Sequence, residues 1–125
     1  MTLRNPLAVA RGLGSAKEGT GHFIAQRLTA VALVPLSIWF IWSALGHFGA
    51  GYADARSFVA QPLNASLMAA FVMMLFYHAQ LGLQVVLEDY VHGWLELTAQ
   101  VLVKLACFFA ALVSLLAIVR ISLGG

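Results

Sequence analysis

Residues 77–92 read YHAQLGLQVVLEDYVH, an apolar stretch that opens on a tyrosine and a histidine and closes on two acids, a tyrosine and a second histidine. His78 is the one histidine deep inside a hydrophobic segment, and Glu88 and Asp89 are the one adjacent pair of acids in the chain, followed at once by Tyr90. A helix rises about 1.5 Å per residue, so His78 and Tyr90 would stand roughly 18 Å apart along its axis. The hydrocarbon core of a bilayer is about 30 Å thick, so that distance takes one helix from near the membrane middle to its aqueous edge. The stretch predicts a membrane-crossing helix with an imidazole at depth and an acid–phenol cluster at its mouth.

Composition points to the same solvent. The chain is 62% hydrophobic and only 10% charged, where roughly a quarter of the residues of a soluble domain carry charge, and its mean hydropathy is +0.90. A water-soluble fold of 125 residues could not hide that much apolar surface, which leaves lipid. The net charge of +2 comes from few residues with no basic cluster among them, which excludes nucleic acid as a partner. Cys107 is the lone cysteine, sits in an apolar run and has no internal disulfide partner; packing is its expected role.

Outward from the central stretch, the chain reads as an all-α membrane protein with three transmembrane helices. The expected spans are 24–47, 63–89 and 97–120, forming a three-helix domain over 23–125. Residues 1–22, polar and glycine-containing, form an N-terminal tail: the first long apolar run begins too late and runs too long for a secretory signal. Pro35 is tolerable in the first span and should kink it, and Trp39 and Trp42 suit an interfacial belt. Residues 48–62 are expected as a loop and 91–93 as a tight turn. Glu96, Gln100 and Lys104 recur every four residues and share one helical stripe, with Lys104 snorkelling to the headgroups. Arg4, Arg11, Lys17, Arg27 and Lys104 fall on one side of this layout and only Arg56 and Arg120 on the other, so the positive-inside rule makes the N-terminus cytoplasmic.

Three groups of residues are candidates for chemistry. His78 lies about nine residues inside its span, roughly 14 Å deep, where an ionisable side chain needs a partner. Haem ligation is the commonest use of a neutral imidazole in such a bundle; the alternative is a histidine hydrogen-bonded across helices for packing. His22, His47 and His92 all fall at span ends. A bis-histidine haem would therefore need its second ligand from another chain, and three helices with one buried imidazole look like half of a site. Asp89 and Tyr90 pair a carboxylate with a phenol donor at the lipid edge, which suits a carbonyl acceptor that takes up protons, such as a quinone head group; the alternative is an ordinary interfacial helix end. Arg27 is either a positive-inside anchor or the counter-charge of a propionate or quinone oxygen. Gly82, four residues after His78, removes bulk on the same face, so that a flat cofactor or a neighbouring helix can come close. No phosphate loop, metal cluster or nucleophile–base arrangement appears, so the chain is not expected to be an enzyme on its own.

These residues resemble the hydrophobic membrane anchor of succinate dehydrogenase (succinate:quinone oxidoreductase, complex II) of the bacterial type. The likeness covers most of the chain. It is carried by H-A-x-x-G-x-x-x-V-L-x-D-Y from His78 to Tyr90, by the looser GHFIAQRLTA ending at Ala30, and by the three-span layout. The resemblance implies that His78 is an axial ligand of a haem b iron, with the other histidine from a companion anchor subunit. It implies that Tyr90 hydrogen-bonds a ubiquinone oxygen with Asp89 beside it, and that Arg27 lies near the haem propionates or the quinone pocket. Flavoprotein and iron–sulfur subunits would dock on the cytoplasmic face of the bacterial inner membrane, forming a heterotetramer whose further trimerisation stays open.

Three other readings compete. The anchor of a quinol:fumarate reductase would look the same, because direction depends on the quinone and the soluble subunits. A small homo-oligomeric transporter would want a charge inside a span facing a pathway, whereas Arg27, Glu88, Asp89 and Arg120 sit at span ends. A purely structural assembly protein would leave His78 unexplained.

Overall fold

The computed structural model describes residues 15–124, with side chains from Thr20 onward. Among these residues the chain is all helix: α1 (Ser15–Gly46), α2 (Tyr52–Ala60), α3 (Pro62–Tyr90) and α4 (Trp94–Ser122). α1, α3 and α4 are long and apolar enough to cross a membrane. A helix of 29 residues, as α3 and α4 are, measures about 43 Å, so each outruns the hydrocarbon core by roughly 7 Å at either end.

The boundaries depart from the expected spans in three places. α1 starts at Ser15, inside the segment read as a tail over 1–22, and runs unbroken past Gly19, Gly21 and Pro35. A helical glycine costs about 1 kcal/mol relative to alanine, which a long apolar helix absorbs once nucleated. The first fourteen residues of the expected tail, Arg4 and Arg11 among them, lie outside the described residues. The expected loop over 48–62 holds the nine-residue α2. Gly49 and Gly51 take φ of +83° and +96°, values only glycine adopts cheaply, and the reversal they allow ends α1 and starts α2 with Asp54 in its first turn. α4 begins at Trp94, directly after Gly93 at φ +73°, so the hairpin is tighter than a span starting at 97 implied. Pro62 opens α3 at a position where its missing N–H costs nothing.

α3 is the middle helix of a row. It packs on α1 along one side and on α4 along the other, while α1 and α4 do not touch among the described residues. α2 lies across α3 and α4 at the end opposite the 91–93 turn. Ala65, Val72 and Ile118 form the buried core there, with Val59, Phe76 and Leu115 packed round it. Between α1 and α3, Phe40 and Phe71 stack at 4.7 Å. Most large apolar side chains stay exposed, Leu28, Val34, Ile38, Leu102 and Val113 among them. A row of three helices buries only the lines where neighbours meet, and the remaining apolar faces require lipid or another protein.

Candidate functional site

The polar centre of the α1–α3 contact is Thr29, which is 5% exposed and the one buried polar side chain among the described residues. Its Oγ1 lies 2.9 Å from the Ala25 carbonyl oxygen and 3.0 Å from that of Gln26, the usual back-bond of a hydroxyl in a helix. It also lies 2.9 Å from Nδ1 of His78 across the helix interface. A hydroxyl has one hydrogen and two lone pairs, and a carbonyl can only accept. All of these contacts are satisfied when Thr29 donates to its own helix and accepts from Nδ1–H of His78. The neutral imidazole is then the Nδ1–H tautomer, and Nε2 keeps an unused lone pair. This is the arrangement of a metal-ligating histidine, whose second nitrogen is fixed by a hydrogen bond.

His78 opens into a cavity of about 340 Å³ that it shares with Phe23, Gln26, Arg27 and Ala30 of α1. The Arg27 guanidinium sits 5.3 Å from the Phe23 ring centroid, a cation–π contact that holds it on this side of α1. Gly82 faces α1 with room to spare: a Cβ added there would meet only Gln26 Nε2, at an ordinary 4.0 Å. The structure thus sets Arg27 beside His78 on one cavity, deeper than the span end where the charge pattern placed it, while Gly82 follows His78 by one turn on the face turned to α1. No group of three or more metal-binding side chains occurs among the described residues, so His78 offers a single ligand.

Asp89 and Tyr90 stand apart from this cavity. Both are exposed, Tyr90 at 81%, on the last turn of α3, roughly 18 Å along the helix from His78. The acid cluster is also divided, since Glu88 Oε1 accepts from Gln84 Nε2 at 3.0 Å on a different line of the helix from Asp89. Tyr90 projects its phenol outward at the end of α3, with no hydrogen-bond partner among the described residues.

Sequence reasoning missed Thr29. A single hydroxyl in an apolar run reads as back-bonded filler, and only pairing of α1 with α3 reveals its partner. Its one sequence signal is its place in GHFIAQRLTA, two residues after Arg27.

Residues 1–119 match the family described as Succinate dehydrogenase/Fumarate reductase transmembrane subunit. The chain is similar to the succinate dehydrogenase hydrophobic membrane anchor subunits of Rickettsia bellii, at 35% identity over 70% of each chain, and of Rickettsia conorii, at 33% over 78% of this chain and 79% of that one. It is likewise similar to the subunit of that name in Paracoccus denitrificans, at 33% identity over 70% of this chain and 68% of the relative.

Proposed function

The chain belongs to the succinate dehydrogenase/fumarate reductase transmembrane subunit family, and on that premise we propose that this membrane anchor supplies half of a haem b site through His78 and part of a ubiquinone site through Tyr90 and Asp89. The observation that carries the reading is the Thr29–His78 hydrogen bond, which leaves Nε2 as the free nitrogen of an imidazole well inside the membrane. With one histidine available, the second axial ligand comes from a companion anchor subunit. Arg27, on the same cavity, balances a propionate or a quinone oxygen. A bound haem b would supply reversible one-electron chemistry.

The other roles belong to this chain's own residues. Thr29 and the back-bonded turn of α1 hold the imidazole plane, and Gly82 leaves space open between α3 and α1. Tyr90 donates a hydrogen bond to a quinone carbonyl at the mouth of α3, and Asp89 stands beside it to orient the phenol or pass on a proton. The flavoprotein and iron–sulfur subunits dock on that end of the helices, the cytoplasmic face of the bacterial inner membrane, and electrons from succinate reach quinone there.

The test is a reduced-minus-oxidised optical spectrum of the complex purified through this chain, wild type beside His78→Ala. A b-type signal that is lost or shifted in the variant, with the soluble subunits retained, is the expected result. An unchanged spectrum would remove His78 from the haem site.

A further inference from the structure

Two polar ladders run side by side from the 91–93 turn into the membrane. On α3, Gln80 Nε2 donates to Gln84 Oε1 at 3.1 Å, and Gln84 Nε2 donates to Glu88 Oε1 at 3.0 Å. On α4, Gln100 Nε2 donates to Glu96 Oε1 at 3.1 Å, and Lys104 follows one turn later on the same stripe. The helices are antiparallel, so positions equally far from the turn share a level. Glu88 matches Glu96, Gln84 matches Gln100, and Gln80 matches Lys104. The last pair indeed lines one groove of about 390 Å³, together with Tyr77, Cys107 and Phe108. Lys104 lies ten residues from the start of α4, about 15 Å along it, hence roughly 8 Å inside the hydrocarbon. The expectation of simple snorkelling leaves out Gln80, whose amide is too short to reach water from that depth, while Gln84 and Gln100 stand one turn nearer the interface.

Amides and an ammonium on a lipid-facing line are costly, and such groups face protein or a wet cavity. We propose that the α3–α4 seam is the docking line of a transmembrane helix from a different polypeptide, one that presents a carboxylate at the level of Lys104. Lys104 is exposed and pairs with no acid among the described residues, so its counter-charge must come from outside. An anionic lipid fits poorly, because Glu88 and Glu96 stand on the same two ladders at the mouth and Asp89 beside them repels the headgroup. A second copy of this chain fits no better. Symmetric copies in one membrane share their levels, and the Thr29–His78 contact puts Arg27 about level with Gln80 and Lys104. A copy offers cations and amides at that depth and no acid. The inference rests on this chain being one subunit of a complex and is independent of His78 and its proposed cofactor.

The experiment replaces Phe108, on the groove wall, with the photo-reactive p-benzoylphenylalanine in the complex purified in lipid nanodiscs, followed by irradiation and mass spectrometry of the adducts. The expected product joins this chain to another subunit, at a peptide with Asp or Glu within one helical turn of the adduct. Lys104→Gln should lower its yield about tenfold, the worth of one charge-assisted hydrogen bond, and Lys104→Arg should preserve it. An adduct to lipid, to a second copy, or to a helix without an acid overturns the proposal, as does an unchanged yield in Lys104→Gln. Should the Phe108 variant not assemble, Cys107 of the unaltered complex is labelled with a lipid-permeant maleimide: protection that vanishes on dissociation supports the docked helix, and equal labelling overturns it. A lipid adduct in a complex that keeps its soluble subunits and its haem spectrum would remove the seam and leave the anchor reading intact.

Discussion

Oγ1 of Thr29 lies 2.9 Å from Nδ1 of His78, and with the hydroxyl hydrogen given to its own helix this contact assigns the ring hydrogen to Nδ1 and leaves Nε2 free. Thr29→Val keeps the shape of the side chain and removes the acceptor. The Nδ1–H then loses its buried partner, at a cost of about 1–3 kcal/mol, and the ring is no longer held to one tautomer. Loss of such an outer partner lowers metal affinity by about 10–100-fold. Haem retained by purified Thr29→Val complex, titrated optically, should fall by that factor, and Thr29→Ser should restore it. A ¹⁵N spectrum of His78 gives a second readout: the wild-type ring shows the Nδ1–H form before haem is added. Equal haem retention in all three proteins would reduce Thr29 to packing.

Gly82 tests how closely α1 must approach. A methyl group there meets only Gln26 Nε2 at 4.0 Å, an ordinary contact, and alanine favours a helix over glycine by about 1 kcal/mol. Gly82→Ala should therefore match or exceed wild type in thermal stability in detergent. Gly82→Leu pushes a branched side chain into α1, and overpacking of this kind costs about 1–3 kcal/mol. It should lower the melting temperature and, by moving Thr29 away from His78, weaken haem retention as well.

Tyr90 is 81% exposed, so its hydroxyl can be removed without disturbing the fold. Tyr90→Phe should leave stability, assembly and the haem spectrum as they are. Succinate:quinone turnover should drop by about tenfold in kcat/KM for quinone, the equivalent of one hydrogen bond. Retained turnover would place the quinone contact on another residue.

The three spans were legible because hydropathy over twenty residues depends on nothing beyond the helix itself, and His78 was legible because a lone imidazole at depth stands out in any window. What escaped depends on two helices at once. Glu96, Gln100 and Lys104 could be seen as a stripe, but their match with Gln80, Gln84 and Glu88 exists only in the antiparallel register of α3 and α4. Thr29 is invisible for the same reason, its partner being on another helix. α2 escaped differently. Nine residues between glycines carry too little periodicity to distinguish a short helix from a loop, and tertiary contacts supply the rest of its stability.

Those contacts make α2 the last prediction. Its Phe58 ring lies 6.0 Å from Trp39 and 4.5 Å from His47, both on or just beyond α1. Asp54 lies 3.5 Å from His47 Nε2 with both side chains partly exposed. His47 Nδ1 is 2.8 Å from the Ser43 carbonyl, which can only accept, so Nδ1 carries a hydrogen there; Nε2 then has one to offer Asp54 only when the ring is charged. A partly exposed pair of this kind contributes about 0–1 kcal/mol, whereas an aromatic contact adds about 0.5–1.5 kcal/mol beyond the area it buries. Asp54→Asn should thus shift the melting temperature little. Phe58→Ala should lower it clearly and raise amide hydrogen exchange in residues 52–60, because it removes two ring contacts in one step. If Asp54→Asn proved the more damaging, the ion pair and not the ring stack would be what holds α2 to α1.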